Sequence, residues 1–286
     1  MKLLAPAKLN LYLEVLDNFK EGFHDIVTVF QTVDLCDDVS LARTGGKDIR
    51  VICFYPARKE PARELGGKNN IASRAASLFL KRSGHKDGLE IRIIKRIPLA
   101  SGLGGGSSDA ACVLLGLNRL LKCGYRTEEL LPLASEIGSD VPFFLYGHTA
   151  LGEGRGDNIT PLCGIRRSWV VLVKPPFGIR ARWAYGMVDR LRLELTKRVN
   201  VNRIKKLLRT DVAGLAYNRL EEAVLPSYPV IAEIKRFLAE NGADFSLMSG
   251  SGSVVFGFVR DCEKGKEIER KVKKKFKCSA WLVRTC

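Results

Sequence analysis

The sequence predicts an α+β protein, because strand and helix patterns are mixed along the chain without strict alternation. Apolar and polar residues alternate over 9–16, which is the period of a half-buried strand. Apolar residues recur at helical spacing over 70–80 and 110–121. A continuous apolar run at 169–173 is followed by two prolines and indicates a buried strand. Both halves of the chain therefore contain both kinds of element.

Each element is predicted from one local signal, taken in chain order. The helix at 70–80 carries its apolar residues on a single stripe. The strand at 88–97 is stopped by Pro98, and the helix at 227–242 ends at the stop signal Asn241–Gly242. The remaining elements are the helix at 110–121, the strands at 169–173, 253–259 and 280–283, and a basic helix between the last two.

The composition is that of a soluble globular protein with one large domain or two ordinary ones. The chain has 286 residues, of which 46% are hydrophobic and 27% are charged. No apolar run approaches the roughly 20 residues of a membrane span. Lys8 and Asn10 interrupt the apolar N-terminus, so we do not interpret it as a signal peptide. A boundary near the segment GEGRGD gives the predicted domains 1–156 and 157–286.

Cysteine spacing and charge favour a cytoplasmic protein with reduced thiols. The eight cysteines are scattered singly and form no C-x-x-C pair, which argues against zinc sites and a disulfide framework. The net charge of +16 is compatible with nucleic acid, anionic substrates or a thermophile-like surface. Around the lysine-rich segment 271–277, Ile268, Val272 and Phe276 fall at helical spacing, which indicates a solvated helix face.

The segment PLASGLGGGSSDAA, residues 98–111, has the order strand, glycine loop and helix that binds phosphate. Glycines let backbone N–H groups face an anion, and a helix N-terminus adds a partial positive charge. Ser107 or Ser108 is predicted to cap the helix and to reach a phosphate or its metal. No lysine follows the glycines, so this is not a Walker A loop, and Ser107 breaks the dinucleotide fingerprint. An ordinary glycine-rich turn before a helix is the alternative.

Three segments together resemble the motifs of the GHMP kinase superfamily. Residues 98–111 are similar to its phosphate loop, P-x-x-x-G-L-G-x-x-S-S-x-A-A. PAKLNLYL (6–13) resembles its N-terminal motif, and LMSGSGSVVFG (247–257) resembles its third. The resemblance implies a two-domain GHMP kinase fold, with an N-terminal half like one seen in ribosomal proteins and a ferredoxin-like C-terminal half. It also implies a kinase that phosphorylates a small alcohol.

Further segments narrow the resemblance to one branch of that superfamily. The triple glycine of the loop and the segments 22–37, 138–144 and 147–162 are similar to the kinases of 4-diphosphocytidyl-2-C-methyl-D-erythritol. That branch transfers the γ-phosphate of ATP to the 2-hydroxyl of its substrate in the non-mevalonate route to isoprenoid precursors. The resemblance implies a cytoplasmic enzyme, monomeric or homodimeric, with a small-molecule substrate and neither nucleic acid nor a membrane as partner.

The resemblance assigns the chemistry to Asp140 and Lys8. Asp140 is the expected catalytic base, because an aspartate carboxylate is ionised at neutral pH and accepts a hydroxyl proton. The sequence alone equally allows a helix cap before Val141–Pro142. Lys8 is expected beside the reacting hydroxyl, where its charge stabilises the developing alkoxide; a surface lysine at a strand start is the alternative. Asn10 lies two residues on, on the same strand face, and is assigned to substrate contact.

An aromatic clamp for the cytosine is also implied by the resemblance. Phe23 and His24 match the family's cytosine site, where an aromatic ring stacks on the base and an imidazole with adjacent backbone pairs with its polar edge. Tyr185 stands where the family has the other face of the clamp. An isolated Phe-His pair is otherwise more typical of a loop packed on a core.

The nucleotide contacts are assigned in the same way. Asn70 and Lys95 match positions that the family uses near the adenine and the ribose, although Asn70 also suits the cap of the helix that it starts. Gly250, Ser251 and Gly252 are expected to support the site by tight backbone packing. The residues expected at the ATP phosphates are Gly102, Leu103, Gly104, Gly105, Gly106, Ser107 and Ser108.

Mg²⁺ is the expected metal, because phosphoryl transfer requires neutralised phosphate charge and this loop lacks a Walker lysine. No protein carboxylate is assigned to it. Phosphates, water and a loop serine are suitable oxygen ligands.

Two other functions stay open at this stage: a GHMP kinase for another alcohol, such as mevalonate, homoserine or a sugar, and an RNA-binding module.

Overall fold

The computed structural model describes residues 1–20, 23–56, 62, 65–67 and 70–286, without the side chains of residues 18–20 and 23. The chain forms two compact units that alternate along the sequence. The first unit comprises Met1–Ala7, Leu35–Ile97 and Gly104–Gly147, and the second comprises Lys8–Asp34, Pro98–Leu103 and His148–Cys286. The boundary between residues 156 and 157 stays a prediction about the two sequence domains.

Two long strands, β1 (Lys2–Lys20) and β2 (Phe23–Thr44), contribute residues to both units. The first unit also contains β3 (Ile49–Phe54) and β4 (Gly88–Ile94). Strand β4 pairs antiparallel with residues 38–44 of β2 and parallel with β3. The helices of this unit are α1 (Ile71–Ser83), α2 (Gly105–Leu120), α3 (Thr127–Ile137) and α4 (Val141–Tyr146). Helix α2 packs against α1 and α4, which places the glycine-rich helix start within a helical layer.

The second unit is built around an antiparallel sheet. Its strands include β5 (Thr149–Glu153), β6 (Asn158–Pro161), β7 (Trp169–Lys174), β8 (Tyr217–Asn218), β9 (Phe245–Met248), β10 (Val255–Val259) and β11 (Ser279–Arg284). Its helices include α5 (Ala181–Arg190), α6 (Val201–Thr210), α7 (Val212–Leu215), α8 (Leu220–Val224), α9 (Pro229–Glu240) and α10 (Cys262–Phe276). Four strands form the sheet in the order β11–β7–β10–β9, and α9 and α10 pack on it. Strand β8 instead pairs parallel with β1 at Tyr12 and Leu13.

Helix α10 is rich in lysine, and its apolar residues face the core of the second unit. Ile268 and Val272 are buried, and Phe276 packs against the same core. Its lysines pair with glutamates one turn away, as Lys271 does with Glu267 at 2.6 Å. The predicted solvated helix face is confirmed.

The mixed strand and helix class is confirmed, and one local prediction is wrong. Helix α2 begins at Gly105, and its N-cap is Gly104 at φ +71°. Ser107 and Ser108 therefore lie within the first turn and do not cap the helix, because glycine alone enters this left-handed conformation without cost.

Within the described ranges, no helix combines the length and the apolar content that crossing a bilayer requires.

Candidate active site

Lys8 and Asn10 form a buried polar pair on β1 in the second unit. Their side chains share one strand face, and the residues are 4% and 2% exposed. Lys8 Nζ donates to Asn10 Oδ1 at 2.6 Å and lies 5.3 Å from the centre of the Phe30 ring. Asn10 Nδ2 in turn donates to Thr28 Oγ1 at 2.8 Å. Lys8 is buried and paired with Asn10, as buried lysines generally are, so the surface-lysine alternative is excluded.

A glycine turn at residues 249–252 packs directly on this pair. Gly250 has φ +54°, and a Cβ there would lie 3.0 Å from Asn10 Oδ1 and 3.3 Å from Lys8 Nζ. Gly102, at φ +79°, would place a Cβ only 1.9 Å from the Ser249 carbonyl oxygen. Ser249 Oγ donates to the Gly102 carbonyl at 3.1 Å. Within the second unit, the N-terminal motif, the start of the glycine loop and the third motif therefore meet in close contact.

The rest of the glycine loop lies in the first unit and opens helix α2. Its first-turn N–H groups have no carbonyl partner within the helix, and the Gly104 cap offers no side-chain hydrogen bond. Such a helix start favours an anion. Ser108 is 1% exposed, and its hydroxyl has no hydrogen-bond partner within the described part of the chain. A phosphate oxygen or a metal ion would satisfy that hydroxyl.

Lys95 lies between two buried carboxylates of the first unit. Its ammonium donates to Asp37 and, at 2.6 Å, to Asp109 Oδ2. Burial disfavours the charged ammonium, but Asp109 and Asp37 outweigh that effect and raise the pKa of Lys95. Burial raises the pKa of Asp109 to about 7, despite the neighbouring ammonium. A Cβ on Gly105 would lie 3.4 Å from Lys95 Nζ, so this cluster packs against the loop glycine.

This arrangement engages the Lys95 ammonium with protein carboxylates, and its role near adenine or ribose stays a prediction. Sequence reasoning missed Asp37 and Asp109. One signal was present: an acidic residue within SSDAA, on the helix face that carries small buried residues. Asn70 caps α1, since its Oδ1 accepts the Ala72 N–H at 2.7 Å. The capping role of Asn70 is confirmed, and its nucleotide contact stays a prediction.

Asp140 lies in the first unit, directly before α4. Its backbone is helical, at φ −84° and ψ −13°, and its side chain makes no capping hydrogen bond. Pro142 already supports the helix start from within the first turn. Asp140 therefore occupies the N-cap position without a side-chain capping hydrogen bond, and its assignment as catalytic base stays a prediction.

His24 and the helix that carries Tyr185 come together in the second unit. His24 Nε2 lies 2.8 Å from Asp189 Oδ1, and the His24 side chain is 7% exposed. Tyr185 precedes Asp189 by one helical turn, so both share one face of α5. Tyr185 is half-buried and packs on the core of this unit. The Phe23 side chain lies outside the described part of the chain. Sequence reasoning missed Asp189, whose spacing from Tyr185 was the available signal.

Lys95→Met is expected to destabilise the fold by about 3–5 kcal/mol, because it leaves two buried carboxylates without their cation. Adding Asp109→Asn should restore part of this loss, since it removes one of the two charges. Lys271→Met is the control: its exposed ion pair on α10 should contribute less than about 1 kcal/mol. Urea unfolding of the wild type and these three variants measures the differences. Equal losses in Lys95→Met and Lys271→Met would contradict the prediction.

Comparison with known proteins identifies the family. The model for the N-terminal domain of GHMP kinases matches residues 70–148, and that for the C-terminal domain matches residues 195–278. A protein of a Geobacter species named 4-diphosphocytidyl-2-C-methyl-D-erythritol kinase is 40% identical over 285 residues, covering 100% of this chain and 99% of that protein.

Two solved structures place the fold. A crystal structure of 4-(cytidine 5'-diphospho)-2C-methyl-D-erythritol kinase matches with a TM-score of 0.81 and 30% identity, covering 100% of this chain and 99% of that one. A homoserine kinase from Cytophaga hutchinsonii matches with a TM-score of 0.71 and 21% identity, covering 100% and 94%, and so shares the fold. The chain therefore belongs to the GHMP kinases and, within them, to the 4-diphosphocytidyl-2-C-methyl-D-erythritol kinase family.

Proposed function

We propose that this protein transfers the γ-phosphoryl group of ATP to the 2-hydroxyl of 4-diphosphocytidyl-2-C-methyl-D-erythritol, a step of non-mevalonate isoprenoid biosynthesis. The full-length likeness to a named kinase of this substrate supports the proposal. The observation that carries it is the buried Lys8 ammonium, which Asn10 and the glycine turn hold at one point of β1. A buried, positioned cation beside a phosphate loop is suited to a developing alkoxide.

In the proposed reaction, Asp140 accepts the proton of the 2-hydroxyl. The hydroxyl oxygen forms a bond to the γ-phosphorus, and the bond from that phosphorus to the β,γ-bridging oxygen breaks. ADP leaves with the electron pair of the broken bond. Lys8 stabilises the negative charge on the attacking oxygen, and Asn10 orients the substrate as well as the ammonium. These roles require only positioning and charge, which are the main contributions of a protein to phosphoryl transfer.

The ATP phosphates are proposed to bind at the loop from Gly102 to Ser108. The α2 N-terminus supplies N–H donors and a partial positive charge. The Ser108 hydroxyl, which has no hydrogen-bond partner within the described part of the chain, would supply a further polar contact to a phosphate. Asn70 and Lys95 are proposed to lie near the nucleoside. Their hydrogen bonds to Ala72, Asp37 and Asp109 would keep the surrounding backbone and side chains in place.

Mg²⁺ is proposed as the metal of the reaction. The described ranges hold no group of three or more histidine, cysteine, aspartate or glutamate side chains suited to a metal. Mg²⁺ prefers oxygen ligands and retains water, so the Ser108 hydroxyl together with ATP phosphates and water fits it. When bound, Mg²⁺ neutralises phosphate charge.

Substrate selection is proposed to occur at the cytosine. Phe23 and Tyr185 would stack on the base, and His24 with its adjacent backbone would pair with the polar edge. His24 Nε2 lies within hydrogen-bond distance of Asp189 Oδ1. We therefore propose that the backbone of His24 contributes more to recognition of the base than this ring nitrogen does. The cytoplasm is the proposed location, since the scattered cysteines suit a reducing compartment.

Tyr185→Ala is expected to weaken binding of the cytidylylated substrate roughly 5- to 150-fold, because stacking contributes about 1–3 kcal/mol per base. ATP affinity should stay unchanged, since the ring is proposed to stack on the cytosine and not to bind the ATP phosphates. Tyr125→Ala is the matched control: it truncates a half-buried tyrosine that packs on Phe79 in the first unit. Calorimetric titration with each ligand measures both effects. Equal losses for ATP and substrate would contradict the clamp.

A coupled ADP-release assay tests the proposed function itself. The purified protein is given ATP with the cytidylylated methylerythritol, mevalonate or homoserine, one at a time. Turnover should require the cytidylylated substrate, and the uridine version should react more slowly. Turnover with mevalonate or homoserine alone would favour a GHMP kinase of other specificity. RNA binding at moderate salt without any turnover would favour the binding module.

A further inference from the structure

Asn218, at the end of β8, is a buried amide whose hydrogen bonds all reach backbone groups. It is 3% exposed. Its Nδ2 donates to the carbonyls of Met248 and Gly250, each at 2.8 Å. Its Oδ1 accepts the Leu220 N–H at 3.0 Å. Both amide protons and one lone pair are thereby used, so this side chain is fixed in one orientation.

The carbonyls that Asn218 binds belong to the glycine turn that touches Lys8. Met248 ends β9, and Gly250 is the residue whose backbone lies against Asn10 Oδ1 and Lys8 Nζ. The neighbouring α8 reinforces the hold, because Glu221 Oε1 accepts the Met248 N–H at 2.7 Å. Asn218 and Glu221 therefore bind the carbonyl and the N–H of Met248, respectively. Of these two side chains, Asn218 is the one that also binds Gly250.

We propose that Asn218 is a positioning residue for phosphoryl transfer: it holds the turn at Gly250 so that the turn presses the Lys8–Asn10 pair into its reactive geometry. The role of Lys8 in this inference rests on the proposed function. The hydrogen bonds of the Asn218 side chain reach the backbone of Met248, Gly250 and Leu220. Asn218 acts through one layer of backbone, and a buried site offers no water to replace its two donated hydrogen bonds.

Asn218→Asp is the direct test, because a carboxylate of the same size cannot donate to two carbonyls. The matched control is Gln31→Glu. Gln31 is also fully buried in the second unit, and its Nε2 also donates to two backbone carbonyls, those of Thr32 and Cys286. Both changes convert a double donor into a carboxylate. Asn218→Asp should lower kcat by about 10²-fold with little change in the KM for ATP, because small misplacements at the reacting centre have effects of this size. Gln31→Glu should leave kcat nearly unchanged at equal folded fraction.

A cycle with Lys8→Ala separates positioning from general damage. If Asn218 acts through Lys8, then adding Asn218→Asp to Lys8→Ala should lower kcat little further. Independent, multiplying losses would overturn the inference, as would equal kcat losses in the Asn218 and Gln31 variants. Where Asn218→Asp does not fold, Asn218→Ser replaces it, since a hydroxyl retains one donor.

Hydrogen exchange gives a readout that needs no turnover. Backbone amides of residues 248–253 should exchange faster in Asn218→Ser than in the wild type and in Gln31→Glu. Unchanged exchange there would overturn the inference even in an active enzyme. A wild-type protein inactive on the cytidylylated substrate would instead refute the proposed function, while the exchange result still decides the structural role of Asn218.

Discussion

Asp140→Asn is expected to lower kcat by at least about 10²-fold while leaving the affinity for both substrates nearly unchanged. The amide retains the size of the side chain and cannot accept the hydroxyl proton. Steady-state kinetics with the cytidylylated substrate, together with calorimetric binding of each ligand, measure the effect.

Asp261→Asn is the matched control for this variant. Asp261 does cap a helix, since its carboxylate accepts the Lys264 N–H at 2.8 Å at the start of α10. Asparagine is an equally good cap, so this variant should keep both its stability and its kcat. Asp261→Ala should lower the free energy of unfolding by about 0.5–2 kcal/mol. Its kcat per folded molecule should be unchanged. Near-normal turnover in Asp140→Asn would show that Asp140 is not the base.

Gly104→Val is expected to weaken ATP binding by at least about tenfold, which corresponds to about 1.4 kcal/mol. Gly104 caps α2 in the left-handed region, at φ +71°, and its neighbours present the first N–H groups of the helix. A β-branched residue is strained in this conformation and would push the loop away from the phosphate position. Isothermal titration with ATP measures the affinity, and circular dichroism confirms that the protein is folded.

Backbone strain alone is controlled by Gly84→Val. Gly84 follows α1 at φ +74°, and a Cβ there would meet no atom within 4 Å. Its variant should therefore lose a similar amount of stability, about 1–2 kcal/mol, and bind ATP normally. The phosphate-loop interpretation would be wrong if Gly104→Val and Gly84→Val bound ATP equally well in their folded forms.

Sequence periodicity was sufficient for elements with a clear apolar pattern, such as α1, β4 and α10, and for one part of the site. The strand period of two predicts that Lys8 and Asn10 share a face, and the structure joins them by a 2.6 Å hydrogen bond. The apolar spacing of α10 likewise predicts its buried side. Both inferences concern residues close together in the chain, where local geometry decides the outcome.

Contacts between distant residues could not be predicted in this way. Lys95 is 58 residues from Asp37 in the sequence, and His24 is 165 residues from Asp189. Such pairs depend on how the elements pack, which no local period records. The serine cap failed for a different reason: the preference of serine for helix N-caps is general, but a glycine in the left-handed region had already begun the helix four residues before Ser108.

The contact between Gly102 and Ser249 has a consequence for inhibition. These residues are 147 positions apart, and the space between them is too narrow for even one methyl group. Apart from the Ser249 hydroxyl, this contact is made by main chain, whose hydrogen-bonding groups stay the same when a side chain is replaced. A compound that bonds to the backbone here would be difficult to evade by point mutation, because the substitutions that could dislodge it would also separate the two segments that make the contact.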